Sequence, residues 1–378
     1  MWDFVQNLFP NLGALLQQGL TASLPAWLAY LAIGLINIVV VVGFVVTMVM
    51  VLTYMERKVV GRFQIRYGPN RVGPVGILQP VADAVKLLLK EDIVPASADR
   101  WVHWLAPVVV FVPTLMFFAV IPFQKGAIIA DLNIGILYII AIGSMGVIGI
   151  FMAGWASNNK YSLVGALRGI AQLVSYEVPM VLSVIGVVMV AGSLSMVKIV
   201  EAQGIPFILL QPIGFLIYFI AASAELNRSP MDLLEAESEI VAGYHTEYSG
   251  MKWALFFLAE YGNGLAVAAI ATTLFLGGWK GPILPPYLWF LIKVLAVFFL
   301  FLWTRATLPR LRVDQLMGLA WKFLFPLALL NILITGLEIT FWSQVPDVLL
   351  VLVNIALAAA LIVLLARLFA PRGEKVVS

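Results

Sequence analysis

The chain has 378 residues, of which 62% are hydrophobic and 11% charged, with a mean hydropathy of +1.01. Soluble domains carry about 25% charge, so this composition excludes a soluble enzyme and a disordered scaffold and points to an integral membrane protein. With 23 Lys and Arg against 20 Asp and Glu the net charge is +3, too small to mark a nucleic-acid binder. Zero cysteines exclude disulfides, thiol chemistry and a thiolate-held iron–sulfur cluster on this chain. Two histidines, His103 and His245, are too few for paired haem ligands, and no His or carboxylate spacing suggests a metal site.

Apolar stretches long enough to cross a bilayer predict nine spans, near 25–54, 102–122, 132–155, 174–193, 206–224, 253–277, 287–305, 319–340 and 347–369. The fourth could begin earlier, near Ser162. The first 24 residues hold no Lys or Arg and read poorly as a signal peptide. Nine spans divide the loops into two sets. Nineteen of the 23 basic residues fall in or beside the loops after spans one, three, five and seven and the C-terminal tail, whereas the opposite loops hold Lys125, Lys198 and Lys280. The positive-inside rule then predicts an outside N-terminus and cytoplasmic loops near 55–101, 156–173, 225–252 and 306–318. The expectation is an all-α polytopic protein, one integral membrane domain over 1–378.

The first cytoplasmic loop crowds Arg57, Lys58, Arg62, Arg66 and Arg71 before a Gly-Pro-Asn turn and a second Gly-Pro at Gly73 and Pro74. From Ile77 to Lys90 the apolar residues share one helical face, with Asp83, Lys86 and Lys90 on the other, predicting an amphipathic helix along the interface. Such a helix serves as a surface anchor or as the wall of a ligand entrance. The third loop gathers Asp232, Glu235, Glu237, Glu239 and Glu247 behind Arg228. Ser229, Pro230 and Asp232 look like an N-cap, a first-turn proline and an N3 carboxylate, which predicts a short helix placing Asp232, Glu235 and Glu239 on one face. Stacked like charges raise proton affinity in some of them; a solvated acidic face is the plainer reading.

Glu177, Glu260 and Lys293 fall inside apolar stretches, and Glu225 at the inner end of span five. A charged group at the bilayer centre costs about 2.5 to 3.5 kcal/mol, so these side chains should face the interior. Graded in depth, the three glutamates suggest a proton wire; pairing of Glu177 with Arg168 or Glu225 with Arg228 would make them structural instead.

Specific stretches then resemble a known family: MERK from Met55, RYGPNRVGPVGILQPVADAVKLLLKED from Arg66, GWASNNKYSLVGALRGIAQLVSYE from Gly154, ASAELNRSPMDLLEAESEIVAGYHTEYSGMKWALFFLAEY from Ala222 and RATLPRLRVDQLM from Arg305. Together they cover nearly the whole chain and are similar to the H-type membrane component of bacterial NADH-quinone oxidoreductase, respiratory complex I, the counterpart of mitochondrial NADH-ubiquinone oxidoreductase chain 1. The resemblance implies a membrane subunit without a redox centre, binding no metal, haem, flavin or iron–sulfur cluster. Its substrate would be quinone, held against cluster-bearing hydrophilic subunits, with small and antiporter-like membrane subunits alongside. On that resemblance Glu56, Arg57, Arg66, Asp83 and Lys86 belong to the quinone chamber and its entrance. Arg228, Asp232, Glu235, Glu237, Glu239 and Glu247 form an acidic coupling loop, and Glu177, Glu225 and Glu260 a proton path. Met231 and Leu234 depart from the family's usual Phe and Pro, which bears on loop rigidity. An ion-translocating subunit of a related membrane-bound hydrogenase and a secondary transporter are the alternatives; the retained GPNRVGP turn disfavours the hydrogenase.

Overall fold

Helices account for every predicted span. A computed structural model of the chain describes residues 6–234, 241–341 and 347–369. In order, these form α1 (Leu8–Ser23), α2 (Ala26–Phe63), α3 (Gln79–Leu89), α4 (Arg100–Phe117), α5 (Gly135–Ala156), α6 (Lys160–Ala191), α7 (Met196–Ala202), α8 (Phe207–Leu210), α9 (Pro212–Glu225), α10 (Gly250–Phe275), α11 (Pro286–Thr307), α12 (Val313–Gly318), α13 (Phe325–Phe341) and α14 (Asp347–Phe369). A π-helical turn over Leu319–Leu324 joins α12 to α13. Among the described residues seven helical stretches are long and apolar enough to cross a membrane, and two shorter apolar helices stand where the fifth and ninth spans are predicted. This is an all-α, multi-pass membrane fold.

Several boundaries differ from the expectation, each for a local reason. Helix α2 continues to Phe63 instead of ending near residue 54. Met, Glu, Arg and Lys at 55–58 are good helix formers, and burial of Glu56 and Gly61 holds the extension against its neighbours. At 38 residues it is about 57 Å long, nearly twice the hydrocarbon thickness, so its charged end projects beyond the apolar layer. Most of the loop expected at 156–173 is also helix: Asn159 caps α6 by accepting from the Tyr161 amide at 2.9 Å, and the helix runs unbroken to a left-handed Gly192. The amphipathic helix forms as α3, with no buried residue and with Val81, Val85, Leu88 and Leu89 exposed along it. That is the pattern of a helix lying on an apolar surface.

The helix predicted to start at Ser229 does not begin there; residues 226–234 are turns and extended chain. Met231, Leu233 and Leu234 are instead buried at 4% exposure or less. Gln172 on α6 donates to the carbonyls of Ala224 and Met231, both at 2.7 Å, tying the segment to the bundle. Burying three apolar side chains and satisfying two carbonyls outweighs a capping hydroxyl worth about 1 kcal/mol. Asp232 therefore sits on a buried turn. Glu235, Glu237 and Glu239 lie outside the described residues.

Helix α10 is the axis of the bundle. From Gly262 to Phe275 only Asn263 is not buried, and the row holds Gly262, Gly264, Ala266, Ala268, Ala269 and Ala271. Small side chains let neighbouring helices approach closely, where dispersion and interhelical hydrogen bonds replace the hydrophobic effect. The same device joins α5 to α6, where a Cβ added at Gly154 would stand 2.4 Å from Ala166 Cβ and 2.9 Å from the Ser162 carbonyl oxygen. Neither atom belongs to a flexible side chain. Gly154→Ala therefore forces the helices apart, and the midpoint of thermal unfolding in detergent should drop by the equivalent of about 1 to 3 kcal/mol.

Candidate functional site

Four separate parts of the chain bring charge to one buried point. Arg228, on the turn after α9, has a side chain only 2% exposed. Its Nη1 donates to Glu56 Oε2 on α2 at 2.5 Å, and its Nη2 lies 3.2 Å from Glu260 Oε1 on α10, close enough to pair though not aligned as a hydrogen bond. Arg305, in the last turn of α11, donates to the other oxygen of Glu56. The Arg228 guanidinium also stacks 4.3 Å from the Tyr261 ring centroid. Two cations and two carboxylates thus form a neutral chain, Arg305–Glu56–Arg228–Glu260. Burial opposes the charge on Arg228, but the Glu260 and Glu56 carboxylates more than compensate and raise its pKa, so it remains a guanidinium.

Cavities open at both ends of this chain. A chamber of about 570 Å³ is lined by Glu56, Arg57, Arg66, Tyr67 and Arg305 among others. Asp83 on α3 braces its edge, accepting from Arg57 Nη1 at 2.5 Å. Lys86 is exposed on the same helix. At the other end, an internal cavity of about 70 Å³ is lined by Glu260, Glu225, Glu177, Asn263 and Tyr244 together with apolar groups. Water needs polar partners as well as room, and this cavity supplies both. Glu260 keeps 25% side-chain exposure deep in the bundle because it faces this space.

Within that cavity Glu177 Oε1 accepts from Ser144 Oγ at 2.6 Å, and Thr114 Oγ1 donates to Asn263 Oδ1 at 2.7 Å. Glu225 Oε2 is buried and meets no donor among the described residues. The considered pair of Glu225 with Arg228 does not form, since the arginine is taken by Glu56 and Glu260. Glu247 stands apart, accepting from Asn159 Nδ2 at 2.6 Å at the start of α6. Around it His103 stacks on Tyr248 at 4.0 Å, and His245 packs edge-on to Tyr244 and Trp253. Lys293 donates to the carbonyls of Leu276, Gly278 and Lys280, closing the far end of α10. Among the described residues no three His, Cys, Asp or Glu gather as a metal site would require.

Sequence reading assigned no role to Arg305, Tyr261, Ser144 or Asn263. Arg305 carried a signal, a cation in the last turn of an apolar span, but its partner lies 249 residues away.

A sequence profile of the NADH dehydrogenase family matches residues 36–336. Over 342 residues the chain is 59% identical to the H-type membrane component of NADH-quinone oxidoreductase from Dehalococcoides mccartyi strain CBDB1, covering 90% of this chain and 97% of that protein. The chain belongs to this family. Similarity extends to the second H-type component of Geobacter sulfurreducens, 54% identical over 79% of this chain and 93% of that one. The corresponding protein of Brevibacillus brevis is 50% identical over 87% and 98% respectively. As a member of this family the chain is a membrane component of a multisubunit NADH-quinone oxidoreductase. The reading as part of a hydrogenase or as a transporter gives way to it.

Two outcomes test the site. Removing one partner of a buried ion pair strands the other, at a cost of about 3 to 5 kcal/mol. Arg228→Leu should destabilise the protein by that order in thermal denaturation, with Arg228→Lys intermediate because a lysine has no fork to span two carboxylates. Burial also lowers the His245 pKa to about 4. Its folded value lies below the unfolded one near 6.5, so the folded state loses stability as pH falls from about 6.5 through about 4. The stability advantage of wild type over His245→Asn should shrink by about 3 kcal/mol across that window, read from unfolding midpoints at each pH.

Proposed function

We propose that this chain forms the quinone-binding chamber of its oxidoreductase and couples quinone reduction to proton translocation. The observation that carries it is the continuity of charge between the two cavities. Glu56 and Arg305 line the larger chamber, Glu260 lines the smaller, and Arg228 joins them by contacts of 2.5 and 3.2 Å.

With no cysteine, the chain contributes no cluster of its own, and electrons reach the substrate from a cluster-bearing hydrophilic partner. Two electrons and two protons convert a quinone to its quinol, so each turnover passes through anionic oxygen in or beside the chamber. Arg57, Arg66 and Arg305 hold that negative charge at the chamber wall, with Asp83 and α3 framing the entrance and Lys86 beside it. A new anion competes with Glu56 for Arg305, which loosens the Glu56 hold on Arg228 and hence on Glu260. Interior charges about 10 Å apart interact far more strongly than in bulk solvent, so this rearrangement shifts the proton affinity of the glutamates beyond it. Asp232, together with Glu235, Glu237 and Glu239 that follow Arg228 in the sequence, extends the same coupling, while Glu247 anchors the loop to α6. Glu260, Glu225 and Glu177 then take up and pass protons through the small cavity.

The whole chain acts as one membrane domain, flanked by small and antiporter-like membrane subunits. Its basic loops set it in the cell membrane with the N-terminus outside and the chamber facing the cytoplasm. Substrate is the only small molecule this scheme requires.

The decisive experiment places the complex in sealed proteoliposomes and measures proton movement and quinone reduction together. Glu260→Gln and Glu225→Gln each remove a titrating group while keeping its shape, and both should reduce the protons moved per quinone reduced. Wild-type proton movement and wild-type reduction in both variants would refute the coupling role.

A further inference from the structure

The half of the bundle away from the long loops holds a second polar thread. The fifth span is broken between α8 and α9 at Gln211, whose backbone (φ −127, ψ 56) leaves the helical region. Its side chain is 3% exposed in apolar surroundings. There Gln211 Oε1 accepts from Asn331 Nδ2 at 3.1 Å, and Gln211 Nε2 donates to Thr335 Oγ1 at 2.7 Å. Glu338 follows on α13, so that Asn331, Thr335 and Glu338 share one helical face at i, i+4 and i+7. Asn354 of α14 completes the thread, donating to the Leu210 carbonyl at 2.8 Å and to Glu338 Oε2 at 3.3 Å. Gly186 and Gly214 make room: a Cβ on either would stand 2.7 or 3.3 Å from Gln211 Oε1.

Amide and hydroxyl groups suffice to lock membrane helices by bonding across them. Glu338 is more than a lock needs. A carboxylate within a span is costly, and here one oxygen has a single amide donor while Oε1 is buried with none among the described residues. A group able to gain and lose a proton accounts for that cost. Its place does too. Glu338 lies three residues from the end of α13, close to the surface opposite the chamber. Along α6, Gly186 stands nine residues beyond Glu177, about 13 Å further from the chamber. Met180, Val181 and Val184 line an apolar cavity of about 50 Å³ that begins at Glu177 and Glu225, follows α6 away from the chamber and ends among Ile136, Met196 and Leu274.

We propose that Glu338, reached past Gln211, Asn331 and Thr335, is a proton-release carboxylate, so that protons collected at Glu260, Glu225 and Glu177 leave through this chain itself. The inference rests on the reading of those three glutamates as a proton path. A proton arriving by water adds to a Glu338 carboxylate oxygen; the O–H bond then breaks to water at the opposite surface and the carboxylate is restored. Between Glu177 and Gly186 the side chains of α6 are apolar apart from Ser183, whose hydroxyl is taken by the Met180 carbonyl, so neither side of the membrane leaks to the other at rest.

Because the chain has no cysteine, single thiols report access without background from this protein. Thr335→Cys and Glu338→Cys are placed in the complex in sealed proteoliposomes and exposed to a charged, membrane-impermeant thiosulfonate from each side in turn. Leu333→Cys, on the 63% exposed lipid-facing side of the same helix, is the control. Labelling of residues 335 and 338 from the side opposite the long loops, well above residue 333, is expected. Labelling no faster than the control overturns the proposal.

Function is read from Glu338→Gln, which should lower the protons moved per quinone reduced, and Glu338→Asp, which should restore them. If Glu338→Gln pumps like wild type while Glu260→Gln does not, the release site is wrong and the coupling role stands. If both pump like wild type, the coupling role fails first. Should Glu338→Gln not assemble, the labelling rates and the Glu338→Asp ratio decide.

Discussion

An arginine enclosed by membrane helices must be neutralised where it stands, and most of what this fold does follows from how Arg228 is neutralised. Its guanidinium fork spans Glu56 and Glu260, and Glu56 in turn spans Arg228 and Arg305. No pair in this set is independent. A buried ion pair offsets the desolvation of its members only while the geometry holds, so displacing one charge redistributes the others. Such interdependence is what the proposed coupling role requires, since a change at one cavity is then felt at the next.

Packing around the network keeps the charges in place. Helix α10 brings Glu260 and Tyr261 to the centre because its small residues allow neighbouring helices to close in. The overlong α2 carries Glu56 to the level where the apolar layer ends. The turn after α9 holds Arg228 by burying Met231, Leu233 and Leu234, and Gln172 anchors its carbonyls. Leu234, where the resembling family usually has proline, packs fully buried over Gly169. Rigidity that a proline would supply through the chain is supplied here by burial.

The molecule has a polar half on each side of an apolar middle. Toward the long loops Arg305, Glu56, Arg228 and Glu260 form a paired chain, with a cavity of about 570 Å³ at one end and one of about 70 Å³ at the other. Away from them a thread of amides and hydroxyls surrounds a helix break and takes in one carboxylate, Glu338. Broken spans place unsatisfied backbone at depth, and such breaks are tolerated where side chains answer them. Asn354 does this for the Leu210 carbonyl.

The sequence by itself determined the class, the approximate spans, the amphipathic helix and the residue types of the site, because hydropathy and charge are one-dimensional quantities that a bilayer sorts directly. It also singled out Glu177, Glu225, Glu260 and Lys293, since an ionisable group in or at the end of an apolar run declares itself. Tertiary structure alone decided who pairs with whom. Arg228 lies three residues from Glu225 yet bonds to Glu56, which is 172 residues away. The helix expected from Ser229 likewise yielded to the burial of three neighbours, and Arg305 gained its place from a carboxylate on α2. Partner choice is a three-dimensional competition among desolvated charges, and spacing along the chain has no access to it.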